Sequence, residues 1–154
     1  MSYGDNTYTA QASGGVRFYT NSALTSGVEL PAGGGAWSSL SDRAVKRNVV
    51  AVDTREVLRS LIAMPVSRWS YESQDEKVRH IGPMAQDFAA AFRVGEDDRR
   101  INTLDADGVA LAAIQGLYQV VQEKDAENTA LQQKVSDLEA RLSALEQRFS
   151  QPSR

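Results

Sequence analysis

The chain has 154 residues, 42% of them apolar, which allows one or two small domains with a modest core. Its net charge of −3 excludes the basic footprint of a nucleic-acid-binding protein, and no basic run offers a membrane-binding surface. The absence of cysteine excludes disulfides, zinc–thiolate sites and cysteine nucleophiles. No apolar stretch approaches the roughly 20 residues of a membrane span. Residues 1–5 lack a signal-peptide pattern, so the beginning of the chain is interpreted as an expression boundary or the cut end of something longer.

Residues 1–40 are rich in Gly, Ser, Thr and Asn and predict short β-strands. Alternating runs at 7–10 and 16–20, separated by Gly14-Gly15, indicate a hairpin, and 28–30 predicts a third strand that Pro31 closes. Three glycines from Gly33 then break regular structure. So few strands cannot bury a core alone, and the segment requires sister copies or upstream sequence. The alternative is an unstructured remnant.

Residues 37–102 predict a small mixed α/β region. A helix at 54–63 is capped by Asp53 or Thr54 and ended by Pro65. Strands follow at 66–71 and 78–81, then a helix with Pro83 in its first turn and a charged loop at 95–100. The predicted buried side of the first helix holds Val57, Leu58, Leu61 and Ile62, and that of the second holds Ala85, Phe88, Ala89 and Phe92.

From Asp105, a plausible N-cap, the chain predicts one long helix. Apolar residues recur at 3-4 spacing over five heptads, which is typical of a coiled coil, and Lys124 and Asn128 interrupt the pattern. A buried Asn128 fixes register, and an ion on the coil axis is an option there. Periodicity does not exclude a dimer, and the alternative is a helix packed within its own chain. The predicted seam comprises Ile114, Leu117, Val121, Asn128, Leu131, Val135, Leu138, Leu142, Leu145 and Phe149.

Few residues are suited to catalysis. A Ser-His-Asp triad would need the single histidine, His80, and no nucleophile elbow is present. Metal-ligand spacing and phosphate-binding glycine motifs are lacking, so neither a metal nor a cofactor is expected. A paired-carboxylate glycosidase stays open, although this small region hardly provides its cleft. Ser41 and Lys46 remain, because a lysine amine can act as general base for a serine when burial removes its charge. This spacing alone is weak evidence, because it is far more often that of a Ser or Asp cap with a solvated lysine.

The order of several motifs along the chain strengthens the interpretation of Ser41 and Lys46 as a catalytic pair. Residues 37–49, with Ser41-Asp42, Lys46 and Asn48, resemble the opening of the endosialidase-type intramolecular chaperone family, peptidase S74. The resemblance continues through 57–65, 69–71, 79–88 and 105–117 into the coiled coil, so it spans roughly 37–149.

In this family the domain lies at the end of phage tail fibres and tail spikes. The resemblance implies an α+β fold with a trimeric coiled coil, and a homotrimer that directs folding of an upstream fibre shaft of the same chain. It also implies self-cleavage beside Ser41, with Ser41 as nucleophile and Lys46 as general base. Either flanking bond could be the one cut. Possible supporting residues are Asp42, Asn48, His80 and Gln86, although a structural role is the favoured expectation for His80 and Gln86.

The implied segments are a shaft end at 1–40, a chaperone and autoprotease domain at 41–104, the coiled coil at 105–150 and a tail at 151–154. The implied location is the phage virion, after synthesis in the bacterial cytoplasm, with no nucleic acid or membrane span involved. Two alternatives stand beside self-cleavage. One is a non-cleaving trimerisation cap or receptor-binding tip. The other is glycan binding through Trp37, Trp69 and Tyr71.

Overall fold

The computed structural model of the chain describes residues 5–150, so the predicted tail at 151–154 lies outside the described residues. The protein is α+β, with a few antiparallel strands followed by a long helix. It divides into two compact units between Ala51 and Val52.

The first unit contains one antiparallel sheet, built from β1 (Val16–Tyr19), β2 (Gly27–Leu30) and β3 (Ser38–Ser39) in that order. The strands predicted at 16–20 and 28–30 are thereby confirmed. The strand predicted at Thr7–Ala10 is wrong, because this stretch has no regular secondary structure. Alternation of side chains is compatible with a strand but does not supply the backbone ladder that makes one. After β3, a single 3₁₀ turn covers Arg43–Val45.

The second unit begins with α1 (Thr54–Ala63). The predicted cap is confirmed, since the Asp53 carboxylate accepts hydrogen bonds from the backbone N–H groups of Arg55 and Glu56, both at 3.0 Å. Placing Ile62 on the buried side was wrong, because it is 76% exposed. The side of α1 that faces the rest of the second unit therefore holds fewer than the four predicted apolar residues.

A two-stranded antiparallel sheet, β4 (Ser67–Trp69) and β5 (His80–Gly82), leads into α2 (Ala85–Phe92). This helix starts two residues after Pro83, which therefore lies just outside the first turn rather than in it. Arg93 ends α2 in the left-handed conformation, with φ 54° and ψ 40°. Phe88 is the buried residue of the helix.

The last element, α3 (Thr103–Ser150), is 48 residues long. Its predicted N-cap, Asp105, is wrong: the Asn102 carboxamide oxygen accepts the Leu104 N–H at 2.9 Å, which places Asp105 inside the first turn. None of the helices among residues 5–150 combines the length and apolarity needed to span a bilayer.

The core of the second unit lies where α1 crosses the first part of α3. Buried apolar side chains of the described residues are Met64, Phe88 and Ala113. At Gly116 the two backbones approach so closely that a β-carbon there would lie 2.2 Å from the Thr54 carbonyl oxygen. This contact fixes which side of α3 the rest of the unit covers.

Candidate Ser-Lys site

The candidate site forms around the 3₁₀ turn that follows β3. The Asp42 carboxylate accepts a hydrogen bond from the Ala44 N–H at 2.8 Å, which caps the turn. The Lys46 N–H then donates to the Arg43 carbonyl at 3.2 Å and closes it. Because a single short turn separates them, the residues on either side of it, Ser41 and Lys46, come back to the same place.

The two predicted catalytic side chains are in direct contact. The Lys46 ammonium donates to the Ser41 hydroxyl with Nζ and Oγ 2.6 Å apart. Both residues are exposed in the single chain. In this direction the amine is a donor, so it holds the hydroxyl oxygen but cannot take its proton. General-base chemistry requires the reverse bond, with a neutral amine as acceptor.

A cleft of about 210 Å³ lies beside Ser41. Residues of all three strands line it, among them Tyr19, Val28 and Glu29. Sequence inspection did not identify these lining residues, since only the strand register brings 19 and 29 toward the end of β3. The cleft provides space for an extended backbone next to the hydroxyl.

Asn48 adopts a left-handed conformation with φ 54°. Asparagine tolerates this region better than most side chains, so its presence two residues after Lys46 has a local backbone reason. Asn48 is exposed and turns the chain as it leaves the site. This geometry gives the residue a structural role whether or not it also contributes to chemistry.

His80 and Gln86 belong to the second unit. The His80 Nε2 and Gln74 Oε1 atoms are 2.8 Å apart, and the imidazole packs on Trp69 with ring centroids 4.7 Å apart. Tyr71 completes the cluster, 4.8 Å from Trp69. These contacts give His80 a packing role in the β4–β5 sheet. Gln86 is exposed in the first turn of α2.

The aromatic pair considered for glycan binding borders a cleft of about 450 Å³ in the second unit, which Arg99 and Arg100 also line. Tyr71 is 57% exposed there, whereas Trp69 is half-buried. Trp37 belongs to the first unit, where it packs on Phe18. Within residues 5–150, no three His, Asp or Glu side chains come close enough together to hold a metal ion.

The predicted seam lies on the side of α3 that its own chain leaves open. Its nine apolar side chains are between 46% and 87% exposed, and Asn128 is exposed as well. The own-chain contact uses a different side, marked by Ala113 and Gly116. At the polar interruption, Lys124 forms an ion pair with Glu127 at 2.6 Å, and this hydrogen bond raises the pKa of Lys124.

Comparison with known proteins finds a family match over the segment that contains the Ser-Lys pair. Residues 41–94 match the family Peptidase_S74, chaperone of endosialidase. The resemblance predicted from the sequence is therefore confirmed over this segment. The Peptidase_S74 match starts at Ser41 itself and runs through α1, the β4–β5 sheet and α2. It is narrower than the predicted 37–149, since it ends before α3. No curated protein matches the chain.

Proposed function

We propose that this chain is an intramolecular chaperone that trimerises through α3, directs folding of an upstream fibre or spike shaft, and then cuts itself beside Ser41. The match to the chaperone of endosialidase family supports the chaperone role and, through the family's association with phage tail fibres, a virion location. The observation that carries the proposal is the 2.6 Å contact between Lys46 Nζ and Ser41 Oγ at the first matched residue.

The open seam supports assembly. Large apolar side chains recur along α3 from Ile114 to Phe149 and remain about half exposed or more. Burying such a side chain fully contributes roughly 1.5–3 kcal/mol, so identical helices gain much by pairing these stripes. The seam spacing is that of a coiled coil, and the polar residues Lys124 and Asn128 favour one register over shifted ones.

The chaperone role follows from what such a coil does to the chain ahead of it. Fibre shafts require β-pairing between chains, which is slow and prone to register errors. A coiled coil holds the chain ends together and raises their effective concentration. Cutting afterwards removes the assembly device from the folded shaft. The shaft is then kinetically trapped in its folded state.

The proposed cut needs no cofactor. The Ser41 hydroxyl oxygen attacks a neighbouring peptide carbonyl carbon while the neutral Lys46 amine takes the hydroxyl proton. The C–N bond breaks, Lys46 returns the proton to the departing amine, and an ester on Ser41 remains. Water then hydrolyses the ester, which yields a new carboxylate and the free hydroxyl.

Assembly and cutting are coupled through the charge of the lysine. In one chain Lys46 is exposed to water and its amine donates to Ser41. Packing of sister chains around the turn removes water from the amine and favours its neutral form. The reaction therefore starts only after the chains have come together.

The direct test follows the full chain by gel and intact mass over time. Wild type is expected to yield two fragments, whose masses distinguish a cut at Leu40–Ser41 from one at Ser41–Asp42. Ser41→Ala and Lys46→Ala are expected to stay intact and keep the oligomer. Lys46→Arg is the matched control, because it keeps the positive charge but cannot lose its proton. Fragments from Ser41→Ala contradict the catalytic claim, and an intact wild-type oligomer at all times indicates a non-cleaving structural cap.

A further inference from the structure

The sheet of the first unit has two chemically different faces. Directly opposed residues of an antiparallel ladder lie on the same face, and successive residues alternate. The register pairs Arg17 with Glu29 on one face, where they form an ion pair at 2.6 Å. On the other face the register pairs Val16 with Leu30 and Phe18 with Val28. The Trp37 ring packs on Phe18 with ring centroids 5.6 Å apart. We call this second set the aromatic face: Val16, Phe18, Val28, Leu30 and Trp37.

The aromatic face is only partly covered within its own unit, where Val16, Val28 and Leu30 are half-buried. Phe18 is 58% exposed and Trp37 is 53% exposed. Among described residues 5–51, none is buried, so the first unit has no interior of its own. Three short strands with one apolar face require a covering layer to be stable. The covering layer must therefore come from another molecule or another segment.

We infer that the aromatic face packs against the same face of sister chains, forming a second interface besides the α3 seam; this rests on the proposed function. Identical faces that meet around a symmetry axis place like residues together, so any charge would repel its own copy. The aromatic face contains no charged residue, whereas the opposite face carries Arg17 and Glu29. A coil that joins three chains also joins three copies of this sheet at high effective concentration.

The Ser-Lys site lies next to this sheet. The cleft beside Ser41 is lined by residues of both faces, with Tyr19 and Glu29 from one face and Val28 from the aromatic one. Packing of the aromatic faces would therefore hold the strand that leads into Ser41 and border the cleft on one side.

Cysteine cross-linking distinguishes the two faces, because the natural chain contains no cysteine. Val28 and Glu29 are neighbours on β2 that point to opposite faces. Each is replaced by cysteine in a Ser41→Ala chain, which keeps the first unit attached. The reagent is a bis-maleimide matched to the about 10 Å between packed sheets. Leu138→Cys in the same background reports on the seam.

For Val28→Cys we expect covalent dimers holding about two thirds of the chains, since one linker joins two of three copies. Glu29→Cys is expected to stay monomeric on a denaturing gel. Equal cross-linking at both positions, or none at Val28 while Leu138→Cys links, overturns the inference and leaves the seam intact. Failure at Leu138 in a chain that sediments as a monomer removes the proposed function instead. Phe18→Cys repeats the test on β1 in case Val28→Cys does not fold.

Discussion

Replacing Gly116 by alanine tests how closely α1 lies against α3. A β-carbon at this position would lie 2.2 Å from the Thr54 carbonyl oxygen and 2.8 Å from its carbonyl carbon. Both are backbone atoms, so no rotamer change relieves the clash and the helices must separate. Overpacking of this kind costs typically about 1–3 kcal/mol, and here we expect the upper half of that range. Alanine recovers about 1 kcal/mol through helix propensity, which leaves a net loss of about 1–2 kcal/mol.

Gly108→Ala is the matched control, because it lies in the same helix and a β-carbon there meets no atom within 4 Å. It should stabilise the chain by up to about 1 kcal/mol. Thermal unfolding followed by circular dichroism at equal protein concentration measures both, with roughly 2–4 °C of Tm per kcal/mol for a chain of 154 residues. The two variants should shift Tm in opposite directions. A rise in Tm for Gly116→Ala would refute the close contact between α1 and α3.

Three further predictions concern the site, the coil and the cap of α1. Asp42→Ala removes the cap of the 3₁₀ turn and should slow self-cleavage measured by gel, whereas Asp42→Asn keeps an acceptor and should retain most of the rate; equal loss in both would assign a role to the charge. Replacing Lys124 and Asn128 together by isoleucine should raise the Tm of the oligomer and broaden its mass distribution in sedimentation, because polar layers restrict register; an unchanged single species would contradict that role. The Glu56 N–H holds the pKa of Asp53 below its ordinary value of 3.8. The stability from this cap is therefore complete above that pH and lost as pH falls through the lower folded pKa, so acid unfolding of Asp53→Asn should depend less on pH below about 4.

Local signals in the sequence predicted the elements that depend on local chemistry. Helix α1 follows from an acidic cap at Asp53 and a stop at Pro65, and the structure places it at Thr54–Ala63. The start of α3 was assigned to Asp105, although Asn102 carries the same type of capping signal three residues earlier. Two candidate caps three residues apart compete, and the sequence alone does not rank them.

Features that depend on distant residues could not be predicted. The strand expected at Thr7–Ala10 alternates as a strand should, but its outcome depends on which neighbour is available for pairing. The contact of Gly116 with Thr54 and the cleft beside Ser41 arise from packing between elements far apart in the chain. The Ser-Lys spacing was visible, but only the turn capped by Asp42 explains why the side chains meet.

The assembly state of the chain tests the central claim most directly, since chaperone action and timed cutting both depend on sister chains covering the α3 seam. Sedimentation equilibrium of full-length Ser41→Ala, which cannot cut itself, measures this state without a mixture of fragments. The expected result is one species at three times the chain mass of 16.8 kDa across micromolar concentrations. A species of single-chain mass over the same range would contradict the account.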